Sequence, residues 1–102
     1  VFLPSLFQPL PSVVSGQGNP QIQCVVRGSP VRAHVLSWYQ QLVGHGPTFL
    51  LSQRVGAPPT YGLGVNPRFL AELDLAQNGA RLTVGNAGPD DEGTYYCAMW
   101  FS

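Results

Sequence analysis

The sequence predicts an all-β domain. Short apolar runs alternate with period two, and 12 glycines and 10 prolines punctuate them at intervals of roughly eight to twelve residues. No stretch sustains an i, i+3, i+4 apolar pattern with helix caps. At 102 residues the chain is read as one domain, 1–102, because a core of this size buries only about two-thirds of the unfolded chain's surface. Hydrophobic residues at 44% with only 10% charged place it among globular chains. No run approaches the ~18 apolar residues of a membrane span, so no direct membrane insertion is expected. Five arginines balance five acids and no lysine occurs, which argues against nucleic acid or an anionic membrane as partner.

The elements follow in order. Pro4, Pro9 and Pro11 suit an edge strand, where a missing N–H is tolerated, and Val13-Val14 continue it. Ser15 to Pro20 is a turn. Ile22, Cys24 and Val26 alternate onto one face, which is assigned to the core. Arg27 to Ala33 is a loop, after which Leu36 and Trp38 point inward and Tyr39 and Gln41 to the opposite face. Gly44-His45-Gly46-Pro47 turns into Phe49-Leu50-Leu51. Ser52 to Gly64, rich in glycine and proline, forms a long irregular connection. Phe69, Ala71 and Leu73 alternate with Leu70, Glu72 and Asp74, Asn78-Gly79 is a hairpin signal, and Leu82 and Val84 face inward beyond it.

Cys24 and Cys97 are the two cysteines. Neither sits in a C-x-x-C pair, and without histidine spacing two thiols make no structural zinc site. A disulfide is therefore expected. Closing a loop of that length stabilises by roughly 4 kcal/mol in the chain-entropy model and implies an oxidising, secretory or cell-surface setting. The opening Val1 to Phe7 is apolar but lacks a charged n-region and is broken by Pro4, so it is not an intact signal peptide; the expectation is that one was removed before Val1.

Cys24, Trp38 fourteen residues later, and Tyr95-x-Cys97 have the spacing of an immunoglobulin Greek-key sandwich, in which a tryptophan packs on an inter-sheet disulfide and a tyrosine corner precedes the second cysteine. With Trp38-Tyr39-Gln40-Gln41, Pro67-Arg68-Phe69 and Asp91-Glu92-Gly93-Thr94-Tyr95-Tyr96-Cys97, the whole chain resembles the V-type domain of an antibody light chain, more lambda than kappa. Gly44 to Leu51, the long segment before Val65, and Cys97-Ala98-Met99 resemble VpreB, the variable-like half of the surrogate light chain. The long segment also occurs in some true lambda chains. VpreB lacks its own last (G) strand, which its partner supplies, and here too no Phe-Gly-x-Gly motif appears by Ser102. Leu70 to Leu75, in place of the usual Ser-Gly-Ser run, resembles T-cell-receptor variable domains.

The resemblance implies roles residue by residue. Trp38, Tyr95 and Leu82 are core, and Arg68 and Asp91 form a salt bridge closing the bottom of the sandwich. Tyr39, Gln41, Pro47, Phe49 and Tyr96 face a partner variable domain, heavy-chain-like, and period-two alternation independently sends Tyr39 and Gln41 away from Trp38. The loops about Arg27–Ala33, Ser52–Gly64 and Ala98–Ser102 gather at one end, where His34, Tyr61, Trp100 and Phe101 are candidate contacts for a protein or peptide antigen. Leu70 and Leu75 are expected outside the core.

Other chemistry fits poorly. His34 and His45 are the candidate bases, and nothing converges a nucleophile and an acid on either. Asp90-Asp91-Glu92 is not read as a calcium or acid–base cluster, because the strand pattern and the resemblance assign Asp91 to the arginine pair; Gly62-x-Gly64 lacks the lysine and helix of a phosphate loop, and no N-glycosylation sequon occurs. No catalytic residue, metal or cofactor is expected. The expected function is that of a secreted or surface-tethered binding module, the light-chain-like half of an antigen receptor. VpreB-like surrogate function stands ahead of true antigen binding, and a T-cell-receptor or orphan receptor domain is the alternative.

Overall fold

The computed structural model describes residues 5–8, 12–13, 18–65 and 68–101. Among the described residues nine strands form two antiparallel sheets. One contains β1 (Ser5–Phe7), β3 (Gln21–Arg27), β8 (Gly79–Val84) and β7 (Phe69–Asp74), in that order. The other contains β2 (Ser12–Val13), β9 (Gly93–Phe101), β4 (His34–Leu42), β5 (Thr48–Gln53) and β6 (Thr60–Tyr61). Strands adjacent in sequence repeatedly fall in different sheets, which makes the pair a Greek-key sandwich of the V type.

Alternation builds the core. Ile22, Cys24 and Val26 on β3, Leu36 and Trp38 on β4, and Ala80, Leu82 and Val84 on β8 are all buried between the sheets. The odd-numbered residues of β3 turn outward. Phe69 is buried, Ala71 and Leu73 pack against the core, and Leu70 and Leu75 are exposed. A disulfide joins Cys24 of one sheet to Cys97 of the other, with Cα atoms 6.4 Å apart. Trp38 lies directly across from Cys97 in the β4–β9 ladder, and its indole N–H donates to the side-chain oxygen of buried Gln53 at 3.2 Å.

Several elements differ from expectation. The opening segment divides: β1 pairs with β3, while β2 pairs with β9 in the other sheet. Pro4, Pro9, Pro11 and Val14 lie outside the described residues. The 52–64 connection is more ordered than its composition suggests. β5 continues through Gln53, and Thr60 and Tyr61 pair with Ser52 and Leu51. The β4–β5 register shifts, with Trp38 opposite Leu51 and Tyr39 opposite Phe49. This bulge leaves Leu50 as the extra residue, so both Leu50 and Leu51 reach the core.

The β7–β8 connection is not a two-residue turn on Asn78-Gly79. Residues 75–77 form a 3-10 turn, and Asn78 alone takes the left-handed conformation, φ 56°. Gly79 already belongs to β8 opposite Val25, and a Cβ there would overlap the Cys24 carbonyl oxygen. Its glycine character thus serves close strand approach rather than turn geometry.

Candidate functional site

The bottom of the sandwich is held by one charged cluster. The 3-10 turn Pro89–Asp91 buries Asp91, whose carboxylate accepts from Arg68 Nη1 at 2.7 Å, from Arg68 Nη2, and from the Gly88 N–H at 2.9 Å. Arg68 also donates to the Gly85 carbonyl at 3.0 Å. The hydrogen bond from Arg68 holds the Asp91 carboxyl below the usual carboxylate range, against the opposing effect of burial. The same bond raises the guanidinium of Arg68. Tyr95, fully buried, donates its hydroxyl to the Asp91 carbonyl at 2.8 Å and accepts from Gln40 Nε2 at 2.9 Å. Burial pushes the Tyr95 phenol up. These bonds fix the turn before β9, and with it the register in which Tyr96 meets β4.

Tyr96 points out of the sandwich. Across three neighbouring strands Phe49, Tyr39 and Tyr96 stand side by side, since Tyr39 pairs with Phe49 on β5 and with Tyr96 on β9. The Tyr39 and Phe49 rings meet edge to face with centroids 5.6 Å apart. Phe49 and Tyr96 are 37% and 40% exposed, and Pro47 is exposed just before β5. The Tyr96 hydroxyl donates to Gln41 Oε1 at 3.2 Å, which leaves the Gln41 amide nitrogen as a donor for a further bond. The five residues expected at a partner surface therefore share one face or its margin, with an edge-to-face contact between two of the three rings and one amide held by a hydrogen bond. Aromatic surface of this kind, with polar tips, suits a protein interface.

The loop end holds two corrections. His34 lies on a strand rather than in a loop: it opens β4, is buried, and shares a hydrogen bond between its Nε2 and Ser29 Oγ. Pairing with Phe101 at the strand start places it beneath the first loop. Tyr61 is likewise drawn into packing. It pairs with Leu51 on β6, packs against the core and donates its hydroxyl to the Phe69 carbonyl at 2.7 Å.

The segment 98–101 is strand rather than loop. β9 runs through Phe101 and pairs with β4 up to His34. Ala98 to Phe101 contains no glycine or proline to interrupt the ladder, and the opposing edge of β4 is available to its end. The backbones of Trp100 and Phe101 are thereby placed opposite Val35 and His34.

Two residues of consequence have long-range roles that the sequence did not signal. Gln8 lies along the outer edge of β9, donating from Nε2 to the Tyr95 carbonyl at 2.9 Å and accepting from the Cys97 N–H at 3.2 Å. It acts as a side-chain substitute for a neighbouring strand. Asn78 ties the 75–78 connection to the first loop, donating to the carbonyls of Val26 and Ser29 at 2.8 and 2.9 Å and accepting from the Val31 N–H at 2.7 Å. A side chain bonding to distant backbone is invisible to local pattern.

Two sheets joined by a cystine over a buried tryptophan, with a tyrosine corner and extra strands beside β4, define a variable-type immunoglobulin domain. The chain belongs to the immunoglobulin V-set family, whose profile matches residues 8–102. Within it the chain is of the light-chain type. It is 37% identical over 98 residues to the human immunoglobulin iota chain, covering 94% of this chain and 67% of that one. Human pre-B lymphocyte protein 3 is 32% identical over 83 residues, 79% of this chain and 68% of that one. A probable non-functional human immunoglobulin lambda variable segment, 11-55, is 30% identical over 101 residues, with 97% and 81% covered. The relatives span surrogate-type and lambda-type sequences, in keeping with the mixed resemblance of the motifs.

Proposed function

We propose that this chain is the light-chain-like half of a receptor module and works by pairing with a second, heavy-chain-like variable domain. The observation that carries the reading is the row Phe49, Tyr39 and Tyr96 across β5, β4 and β9, exposed in part and flanked by Pro47 and Gln41. Placed against a matching face, the rings supply apolar contact and the Gln41 amide a reciprocal hydrogen bond. In this reading Arg68, Asp91 and Tyr95 are structural. They hold the turn that sets Tyr96 in place.

The surrogate form of the proposal adds a second contact. The Tyr95 carbonyl and Cys97 N–H point away from β4 to Gln8, so the same outer edge continues toward the loop end. Among the described residues, β2 pairs with this edge only at Gly93 and Thr94. A strand contributed by another chain would extend the sheet there by main-chain pairing. The disulfide and the light-chain-type relatives support an extracellular setting, reached by secretion or through a partner. The alternative is a T-cell-receptor or orphan receptor domain that uses its loop end on a ligand.

The test is co-expression with a heavy-chain variable domain and, in parallel, with a T-cell-receptor variable domain, followed by size-exclusion chromatography with light scattering. A stable heterodimer with the former supports the proposal. Heterodimer only with the latter selects the alternative.

A further inference from the structure

All ten formal charges of the chain lie among the described residues, and their distribution is uneven. Asp91 is taken by Arg68, while Glu72 and Asp74 both lie 3.8 Å from Arg81. Asp90 and Glu92 flank Asp91 beside Gly93, which pairs with Leu42 at the far end of β4. Arg27 lies over the Phe7 ring, 4.5 Å from its centroid. This leaves Arg32, in the 3-10 turn Val31–Ala33, and Arg54, just after β5, both exposed at the His34 end. The nine-residue β4 separates them from the acidic turn by about 27 Å. That is several times the ~8 Å screening length at physiological salt, so the acidic turn does not neutralise them.

The two arginines line one recess of about 120 Å³, together with Ala33, His34 and Val35. No ion pair engages either guanidinium among the described residues. Val35 stands on the same face of β4 as Tyr39, and Arg54 follows Phe49 and Ser52 along the outer face of β5, so the recess continues the aromatic row upward. Its volume is well below the roughly 300 Å³ at which sites for free small ligands begin, but it suits a single side chain. Guanidinium forks match the two oxygens of a carboxylate, and the Ala33 and Val35 side chains can accept the methylenes behind it.

We propose that the recess between Arg32 and Arg54 is a carboxylate-binding site, taking an Asp or Glu side chain from an acidic polypeptide segment bound at the upper end of the pairing face. The inference rests on the pairing reading only for the direction from which that segment arrives. The isotope-labelled, unpaired chain is titrated with a short glycine–serine peptide carrying adjacent glutamates, with the same peptide carrying glutamines, and with inorganic phosphate, while the Nε–Hε signals of the arginines are followed by NMR. The glutamate peptide should give saturable shifts at Arg32 and Arg54. Either Arg32→Gln or Arg54→Gln should weaken it about tenfold, while Arg27→Gln leaves it unchanged. Equal binding of the glutamine peptide, equal loss in Arg27→Gln, or phosphate binding as tightly as the glutamate peptide would overturn the assignment. Because the chain is unpaired throughout, failure of the pairing proposal leaves this titration intact.

Discussion

Replacing Asp91 with alanine removes the acceptor of three hydrogen bonds, two from Arg68 and one from the Gly88 N–H. Breaking a fully buried ion pair costs about 3–5 kcal/mol. Here the Asp91 side chain is 5% exposed but that of Arg68 is 32% exposed, so the guanidinium regains water and keeps its bond to the Gly85 carbonyl. The expected loss is therefore about 2 kcal/mol for Asp91→Ala, and about 1 kcal/mol for Asp91→Asn, which keeps an acceptor but no charge. The pH dependence has a definite sign. Because the folded carboxyl is held below its ordinary value, its contribution is complete above the unfolded pKa of about 3.9 and is lost as pH falls through the lowered folded value. Urea denaturation near neutral pH and again in strong acid reads both effects. The wild-type chain should lose its advantage over Asp91→Ala on acidification. Equal stability at neutral pH within about 0.5 kcal/mol, or curves that fall in parallel with acid, would refute the reasoning.

Other outcomes follow from the same geometry. Reducing the Cys24–Cys97 bridge, which closes a separation of 73 residues, should lower stability by about 4 kcal/mol; an unchanged urea midpoint after reduction contradicts this. Asn78→Ala removes three side-chain bonds and places alanine at positive φ, for an expected loss of about 2 kcal/mol. Faster amide exchange at Val31 should accompany it, and unaltered protection there would show that Asn78 does not hold the loop. Gly79→Ala forces a methyl group onto the Cys24 carbonyl and should destabilise by more than about 2 kcal/mol, measured by thermal melting; a melting temperature near that of the wild type would contradict it.

Much of the sandwich is readable in the sequence because its strands are half-buried, so period-two alternation separates Trp38 from Tyr39 and Leu82 from Arg81. The cystine follows from two cysteines that fit no metal site, and the Arg68–Asp91 pair was legible through the resemblance to light-chain variable domains. What was not readable depends on contacts between segments. Leu50 and Leu51 are both apolar neighbours, and only the bulge opposite Trp38 and Tyr39 sends both inward. His34 looks like a loop residue until the β4–β9 ladder is seen to extend to Phe101, which puts it under the first loop. Gln8 and Asn78 are polar residues in segments with ordinary turn or edge composition, and their bonds to backbone far along the chain have no local trace. Arg32 and Arg54 are distant in sequence, and only the adjacent ends of β4 and β5 bring them to one recess.

The claim on which the functional account turns is that the Phe49–Tyr39–Tyr96 face binds a second variable domain. Its most direct test is the dissociation constant of the heterodimer formed with a heavy-chain variable domain, measured for the wild type, for Tyr39→Glu combined with Phe49→Glu, and for Leu70→Glu on the opposite sheet. Circular dichroism of each chain alone confirms folding. The account predicts a weakening of about 100-fold or more for the paired substitutions, the loss of two aromatic anchors, and little change for Leu70→Glu, whose side chain is exposed on β7. Unaltered affinity in a folded Tyr39→Glu, Phe49→Glu chain, or an equal loss in Leu70→Glu, would contradict it.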